Sequence, residues 1–344
     1  MPPIWKKNIG YDLICLYFNL CTRMSYLKLE VVGKENLPAD GAIILAPNHC
    51  NTLMDALVVK QADRGPTIFA VRADIFKKPW LASLFHFLKM VPLSRERDGM
   101  QEVARNYEVF DEIVDGMVHG IPFCIFSEGT HRAKRSLLPL RKGIFRIATK
   151  ATKKIKEPVY IVPVGLEYED YFRYMRPARM SYGPAINVTE FLDTHPDATE
   201  GETFAAMSIS LHDRISSMIT YFPDDERYDS AFARWQERNA PRRHWWEWVL
   251  APVLLPFFIL FGILCLPMWI TSAIIIKRLK DKTWSNTVRF GSKTAILPLL
   301  LLIFGIPAFC LLPWYTAATL LLTVIASHSL FYHILNLYNK LLKI

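Results

Sequence analysis

Hydrophobic and polar positions follow distinct rhythms in different parts of this chain. Between about residues 30 and 240, brief continuous apolar runs bounded by Gly, Pro or polar residues alternate with longer segments whose apolar positions recur three and four apart. The short runs predict buried strands at Ala42 to Ala46, Thr67 to Val71, Pro122 to Phe126 and Tyr160 to Val164. The longer segments predict helices at Trp80 to Lys89, Met100 to Val118, Lys142 to Lys156 and Glu202 to Tyr221, each with one buried face. Alternation of this kind predicts an α/β fold, a mixed sheet flanked by helices.

Beyond Trp248 the rhythm disappears. Val249 to Ile276 and Thr294 to Leu335 carry no charged residue. About 20 apolar residues cross a bilayer, so these stretches predict C-terminal transmembrane or re-entrant helices rather than core helices of a soluble protein. The second is long enough for two crossings with a break near Pro307 or Pro313. A hairpin turning near Gly262 in the first would keep every flanking Lys and Arg on one side of the membrane, as short cytoplasmic loops prefer. Trp245, Trp246 and Trp248 beside Arg242 and Arg243 suit a membrane interface. The apolar run Tyr11 to Leu29 lacks a small-residue cleavage site and carries Arg23 and Lys28, which argues against a signal peptide. Two readings of it stay open, an amphipathic helix lying on the bilayer and a helix packed on the domain. The expected organisation is a membrane-associated helix over 1–30 and a catalytic domain over 31–222. A charged linker with a Trp-rich interface over 223–248 and membrane-embedded helical hairpins over 249–344 complete it.

Composition adds a preferred surface. Lys and Arg number 41 against 32 Asp and Glu, a formal charge of +9. Part of the excess lies beside the apolar stretches, at Arg242, Arg243, Lys277, Arg278, Lys280, Lys282, Arg289 and Lys293, with no nucleic-acid-binding pattern, so an anionic membrane is the expected partner and nucleic acid is not. The six cysteines have no paired spacing of the kind zinc or redox sites need, and they read as buried thiols in a reducing compartment.

Candidate chemistry lies at the ends of the predicted strands. His49 follows the strand Gly41 to Pro47, and Asn51 or Thr52 is placed to cap the helix that follows. Asp55 falls in that helix's first turn, and helical side chains lean toward the N-terminus, so its carboxylate can orient the imidazole. A His held this way can take a proton from an attacking hydroxyl. Phe126 ends another strand, and Ser127-Glu128-Gly129-Thr130 forms a turn surrounded by His131, Arg132, Lys134 and Arg135, a candidate anion site. Arg95, after the run Met90 to Leu93, offers a further guanidinium able to grip a phosphate by two nitrogens. Ser127 is not in a Gly-x-Ser-x-Gly elbow, which argues against a hydrolase nucleophile.

These residues resemble the motifs of the PlsC-like glycerophospholipid acyltransferases over roughly residues 40 to 190. Asn48-His49 with Asp55 is similar to the first motif, Val91-Pro92-Leu93-Ser94-Arg95 to the second, Phe126 to Arg132 to the third, and Val162-Pro163 to the fourth. Two departures stand out: five residues, Cys50 to Met54, separate His49 from Asp55 where four are usual, and Ser127 replaces a common Pro. The longer spacing and the run Leu137 to Gly143 resemble the yeast-type enzymes that acylate glycerol-3-phosphate or dihydroxyacetone phosphate. The resemblance implies His49 as general base and Asp55 as its orienting partner. It also implies Arg95, Glu128, Gly129, Thr130 and Arg132 around the acceptor's phosphate, and Val162 and Pro163 on the acyl-donor side.

The expectation is therefore an integral membrane acyltransferase of phospholipid biosynthesis, its catalytic domain facing the cytoplasm. The donor would be acyl-CoA or acyl carrier protein. The acceptor would be glycerol-3-phosphate, favoured by the longer His49-to-Asp55 spacing, the run Leu137 to Gly143 and the clamping charge, or 1-acylglycerol-3-phosphate, whose phosphate could use the same charge. No metal or bound cofactor is implied. The alternatives are another lyso-lipid acceptor, or a catalytically silent scaffold, which the joint presence of His49, Asp55 and Glu128 disfavours.

Overall fold

The computed structural model describes residues 2–62, 65–94 and 100–342. The chain runs α1 (Ile9–Arg23), β1 (Leu29–Val32), β2 (Ala42–Pro47), α2 (Leu53–Ala62), β3 (Ile68–Arg72), α3 (Pro79–Phe87), β4 (Met90–Leu93), α4 (Met100–Val118) and β5 (Phe123–Cys124). It continues α5 (Gly143–Thr152), β6 (Val159–Tyr168), β7 (Ala178–Tyr182), β8 (Ile186–Asn187), α6 (Val188–Thr194), α7 (Glu200–Met218) and α8 (Tyr228–Arg238). Four helices close it: α9 (Trp245–Leu264), α10 (Leu266–Arg278), α11 (Ser285–Leu311) and α12 (Trp314–Leu342).

The strands form one mixed sheet in the order β1-β7-β6-β2-β5-β3-β4, with β8 also on β6. The β6 pairings with β7 and β8 are antiparallel and the others parallel. Strand alternation sends neighbouring side chains to opposite faces, and both faces are covered. Ile44, Ile68, Phe123 and Ile161 pack beneath α4, α5 and α7 with Ile113, Ile144, Ile147, Met207 and Leu211. Their chain neighbours Leu45, Phe69, Cys124 and Val162 pack beneath α2 with Val58 and Val59. The parallel strands β2, β3 and β5 all end on the side where His49 and Phe126 emerge, the usual place for a site in such sheets.

Several expectations shift. β6 extends to Tyr168, past the expected Val164, and β5 is shorter than expected because only Phe123 and Cys124 join the ladder. The charged stretch after Pro223, expected as a linker, contains α8, whose Trp235 stacks on the Arg135 guanidinium 4.1 Å away. Among the cysteines, Cys310 is exposed and Cys15 partly so, against the expectation that all are buried.

The C-terminal helices form two hairpins. Phe258 of α9 stacks on Phe331 at 4.9 Å, and Trp269 of α10 meets the same ring at 6.2 Å. A straight helix would hold those two residues about 16 Å apart along its axis. The chain therefore reverses at Cys265, three residues beyond Gly262, where Pro267 withholds an amide from the first turn of α10. The second reversal is at Leu312-Pro313, while Pro307 stays inside α11. Tyr338 Oη donates to the Ala251 carbonyl at 2.8 Å, and Lys340 pairs with Glu247, so the end of α12 lies beside the start of α9. Three segments, Trp245–Leu264, Lys282–Leu311 and Trp314–Leu342, are long and apolar enough to cross a membrane, and only 11%, 22% and 39% of their most apolar windows are buried. That exposure separates them from core helices of a soluble protein.

α1 has two working faces, which joins the two readings left open for it. Its inner face is tied to α11: Phe18 meets Phe290 edge to face, Tyr17 Oη donates to the Thr294 carbonyl, and the buried Lys293 ammonium donates to the Cys21 carbonyl and the Ser25 hydroxyl. Its outer face leaves Ile9, Leu13, Leu16 and Leu20 exposed in one helical stripe.

Candidate active site

The turn after β2 is organised by one carboxylate. Asp55 Oδ2 lies 2.8 Å from His49 Nδ1 and accepts the backbone N–H groups of Cys50 at 2.8 Å and Asn51 at 2.7 Å. Its Oδ1 accepts the Tyr168 hydroxyl at 2.7 Å. A buried carboxylate that is acceptor-only fixes the imidazole with Nδ1–H donating, which leaves Nε2 as the basic nitrogen. The extra residue between His49 and Asp55 is absorbed at Thr52, which takes φ +51, a rare conformation for a β-branched residue. Neither expected cap forms through its side chain. Asn51 has no hydrogen-bond partner for its buried amide among the described residues, and the Thr52 hydroxyl instead meets Thr287 Oγ1 at 2.6 Å. Asn48 fastens the turn to β6, its amide accepting Leu166 N–H at 2.6 Å and donating to the Leu166 carbonyl at 3.0 Å. The His49 ring stacks on Phe126 at 4.3 Å and remains partly exposed.

The second turn meets the first through Glu128. This residue, 3% exposed, accepts His49 N–H at 2.7 Å through Oε1 and Leu138 N–H at 2.8 Å through Oε2. Its carboxylate therefore does not face an acceptor phosphate; it ties the His49 turn to the loop at Leu138. Burial pushes its pKa up to about 7, against the pull of the Leu138 and His49 amides, which favour the anion. Gly129 sits at φ +72, where its N–H returns to the Phe126 carbonyl, and a Cβ there would press on Arg141 Cγ at 3.3 Å. Thr130 is exposed at the mouth, and Arg132 N–H donates to the His49 carbonyl at 3.0 Å. Ser127 is 2% exposed with no hydrogen-bond partner for its hydroxyl among the described residues, unlike an activated nucleophile.

The expected ring of cations is largely committed elsewhere. Arg132 and Lys134 both pair with Asp224, Lys134 at 2.9 Å. Arg135 is buried, donating to Glu167 at 2.9 Å and to the Tyr168 carbonyl at 2.7 Å, so it braces α8 and β6 instead of facing an anion. Arg95 lies outside the described residues. Val162 and Pro163 are enclosed in the sheet, paired with Leu45 and Ala46, and present no surface to a donor; they hold β6 against β2.

Sequence reasoning passed over Tyr168, Arg141 and Asp281, and it named His131 only as part of the charge around the second turn. Tyr168 reaches Asp55 from the far end of β6. Arg141 is an exposed guanidinium beside Gly129 that makes no ion pair among the described residues. Its place in the run Leu137 to Gly143 was a signal that a cation follows the turn. His131 and Asp281 are joined at 3.0 Å across 150 positions, beyond the reach of any local pattern.

The Acyltransferase family's model matches residues 28–167. The Caenorhabditis elegans protein acl-2, provisionally named as a 1-acyl-sn-glycerol-3-phosphate acyltransferase, is 23% identical over 244 residues, 71% of this chain and 79% of its own. An uncharacterised acyltransferase of Schizosaccharomyces pombe is 24% identical over 207 residues, 59% of this chain and 68% of its own. The crystal structure of the 1-acyl-sn-glycerophosphate (LPA) acyltransferase PlsC from Thermotoga maritima matches with TM-score 0.44 and 17% identity, covering 62% of this chain and 83% of that one. The matched segment contains both turns that meet at His49, so the candidate site lies in the part of the chain that is similar to the Acyltransferase family and to the nematode protein.

Proposed function

We propose that this enzyme moves a fatty acyl group from a thioester, acyl-CoA or acyl carrier protein, to the hydroxyl of a glycerol phosphate, as a step of phosphatidic acid synthesis. The observation that carries the reading is the 2.8 Å contact between His49 Nδ1 and Asp55, which leaves Nε2 to take the proton. As the acceptor oxygen attacks the thioester carbonyl, His49 accepts its proton. As the C–S bond breaks, the imidazolium returns that proton to the departing thiolate. Thr130, Arg132 and Arg141 stand at the mouth to hold the phosphate, with Gly129 shaping the turn, and no step requires a metal or bound cofactor.

Of the two acceptors, the reading favours 1-acylglycerol-3-phosphate. Preference for free glycerol-3-phosphate rested on the spacing from His49 to Asp55, the run Leu137 to Gly143 and the clamping charge, and the charge is less free than expected, since Arg135 is occupied within the fold while Arg132 and Lys134 share Asp224. The name of the nematode relative points the same way. The enzyme is read as an integral membrane protein with its catalytic domain in the cytoplasm. In support, the hairpins bring Arg242 and Arg243 to the same end as Lys277 to Lys282, beside the catalytic domain.

Purified enzyme given labelled donor and equal concentrations of both acceptors tests the choice. A kcat/KM ratio favouring lysophosphatidate by at least about tenfold, 1.4 kcal/mol in transition-state binding, is expected, and a tenfold preference for glycerol-3-phosphate would reverse it. His49→Ala should cut the rate by at least about a hundredfold without loss of folding. Near-normal turnover of that variant would remove the base from the mechanism, whereas no turnover of either acceptor by the wild type would favour the silent-scaffold alternative.

A further inference from the structure

The turn between α10 and α11 belongs to the apolar C-terminal region, outside the matched acyltransferase segment, yet it sits on the catalytic turns. Asp281 Oδ2 lies 3.0 Å from His131 Nε2, and Trp284 meets the His131 ring edge to face at 5.6 Å. The His131 ring also meets His49 edge to face at 5.5 Å. One turn further along, Thr287 Oγ1 holds the hydroxyl of Thr52, the residue at positive φ ahead of the helix that carries Asp55. Asp281 divides its work: Oδ1 accepts the Thr283 N–H at 2.9 Å and the Thr283 hydroxyl at 2.6 Å, which shapes its own turn, and Oδ2 is left for His131.

We propose that residues Asp281 to Thr287 complete the acceptor site, with His131 as a substrate-contacting residue and Asp281 as its positioning residue. The inference deepens the reading of His49 as the base and rests on it for the location of the reacting hydroxyl. With Nε2–H donating to a carboxylate, the tautomer of His131 is fixed. Nδ1, which has no hydrogen-bond partner among the described residues, is left for a polar atom of the acceptor's glycerol phosphate. Trp284 packs edge to face against the ring, which also stands edge-on to His49. A head group carried by a lipid at the membrane surface would thus meet residues from the hairpin and from the catalytic domain together.

The test is steady-state kinetics of full-length enzyme with lysophosphatidate and acyl-CoA varied separately. His131→Gln and Asp281→Asn should each raise the acceptor KM by about five- to fiftyfold while the donor KM stays within about twofold. Because both act through one imidazole, the double variant should be no worse than the worse single by more than about twofold. Trp284→Ala should also raise the acceptor KM, and Trp284→Phe should restore it, a comparison that holds even where the charged variants do not fold. An unchanged acceptor KM in all three folded variants, a change confined to the donor KM, or single effects that multiply in the double variant would overturn the proposal. His49→Ala assayed alongside separates the two ideas: if it retains turnover while acceptor KM still follows His131 and Asp281, the base assignment fails and the site assignment stands.

Discussion

At the scale of single residues, much of this site consists of side chains whose job is to hold another side chain. Tyr168 is the clearest case, since its hydroxyl donates to Asp55. Tyr168→Phe leaves the dyad in place but removes one donor from a buried carboxylate. It should lower kcat by about three- to thirtyfold with little change in either KM, and a purely KM effect would count against the positioning role. Glu128 carries a pH signature. Its carboxyl is raised from the ordinary 4.5 to about 7 by burial, so the folded chain holds that proton more tightly than the unfolded chain. The resulting stabilisation is fully present below about 4.5 and lost as pH rises to about 7, on the order of 3 kcal/mol in all. Melting wild type and Glu128→Gln across that window should show the wild type losing ground to the variant as pH rises; parallel curves would rule the ionisation out. The sequence disclosed that His49, Asp55 and Glu128 belong together, because their types and order suffice for that. It did not disclose that Glu128 faces inward, since a carboxylate bound to two amides reads, in one dimension, like one in solvent.

Among the elements, legibility followed burial. β2 and β6 run through the middle of the sheet and read as continuous apolar runs. β1 and β7 pair through Glu30, Arg179 and Ser181, and that mixture of polar and apolar positions hid them from a search for apolar runs. α8 was hidden by its charge, since only Tyr228 of its residues is buried. Its approach places Asp224 on Arg132 and Lys134, the cations nearest the mouth. A carboxylate there competes with a phosphate for the same guanidinium. Asp224→Asn should therefore lower the acceptor KM by about two- to fivefold, a modest effect because the pair is partly exposed and screened. A raised KM would instead make Asp224 a residue that orients Arg132 for the substrate.

For the whole molecule, the C-terminal hairpins are both anchor and brace. Protein ending at Asn239 should lose carbonate-resistant membrane association, with only the exposed stripe of α1 left for reversible surface binding. Carbonate-stable retention of that fragment would show that the apolar helices are not the principal anchor. Fold class and the apolar character of these helices were legible because both are written in periodicity; their seating against α1 was not, because it depends on partners far apart in the chain. The bond from Lys293 to the Cys21 carbonyl spans 272 positions. At typical synthesis rates of about 5–20 residues per second, α1 leaves the ribosome some 15–50 s before its partner exists. Throughout that interval α2 can cover Cys21 but the part of α1 that faces α11 lacks its partner, so α1 is seated in full only late, and a nascent chain stalled before Lys293 presents that part to chaperones and proteases.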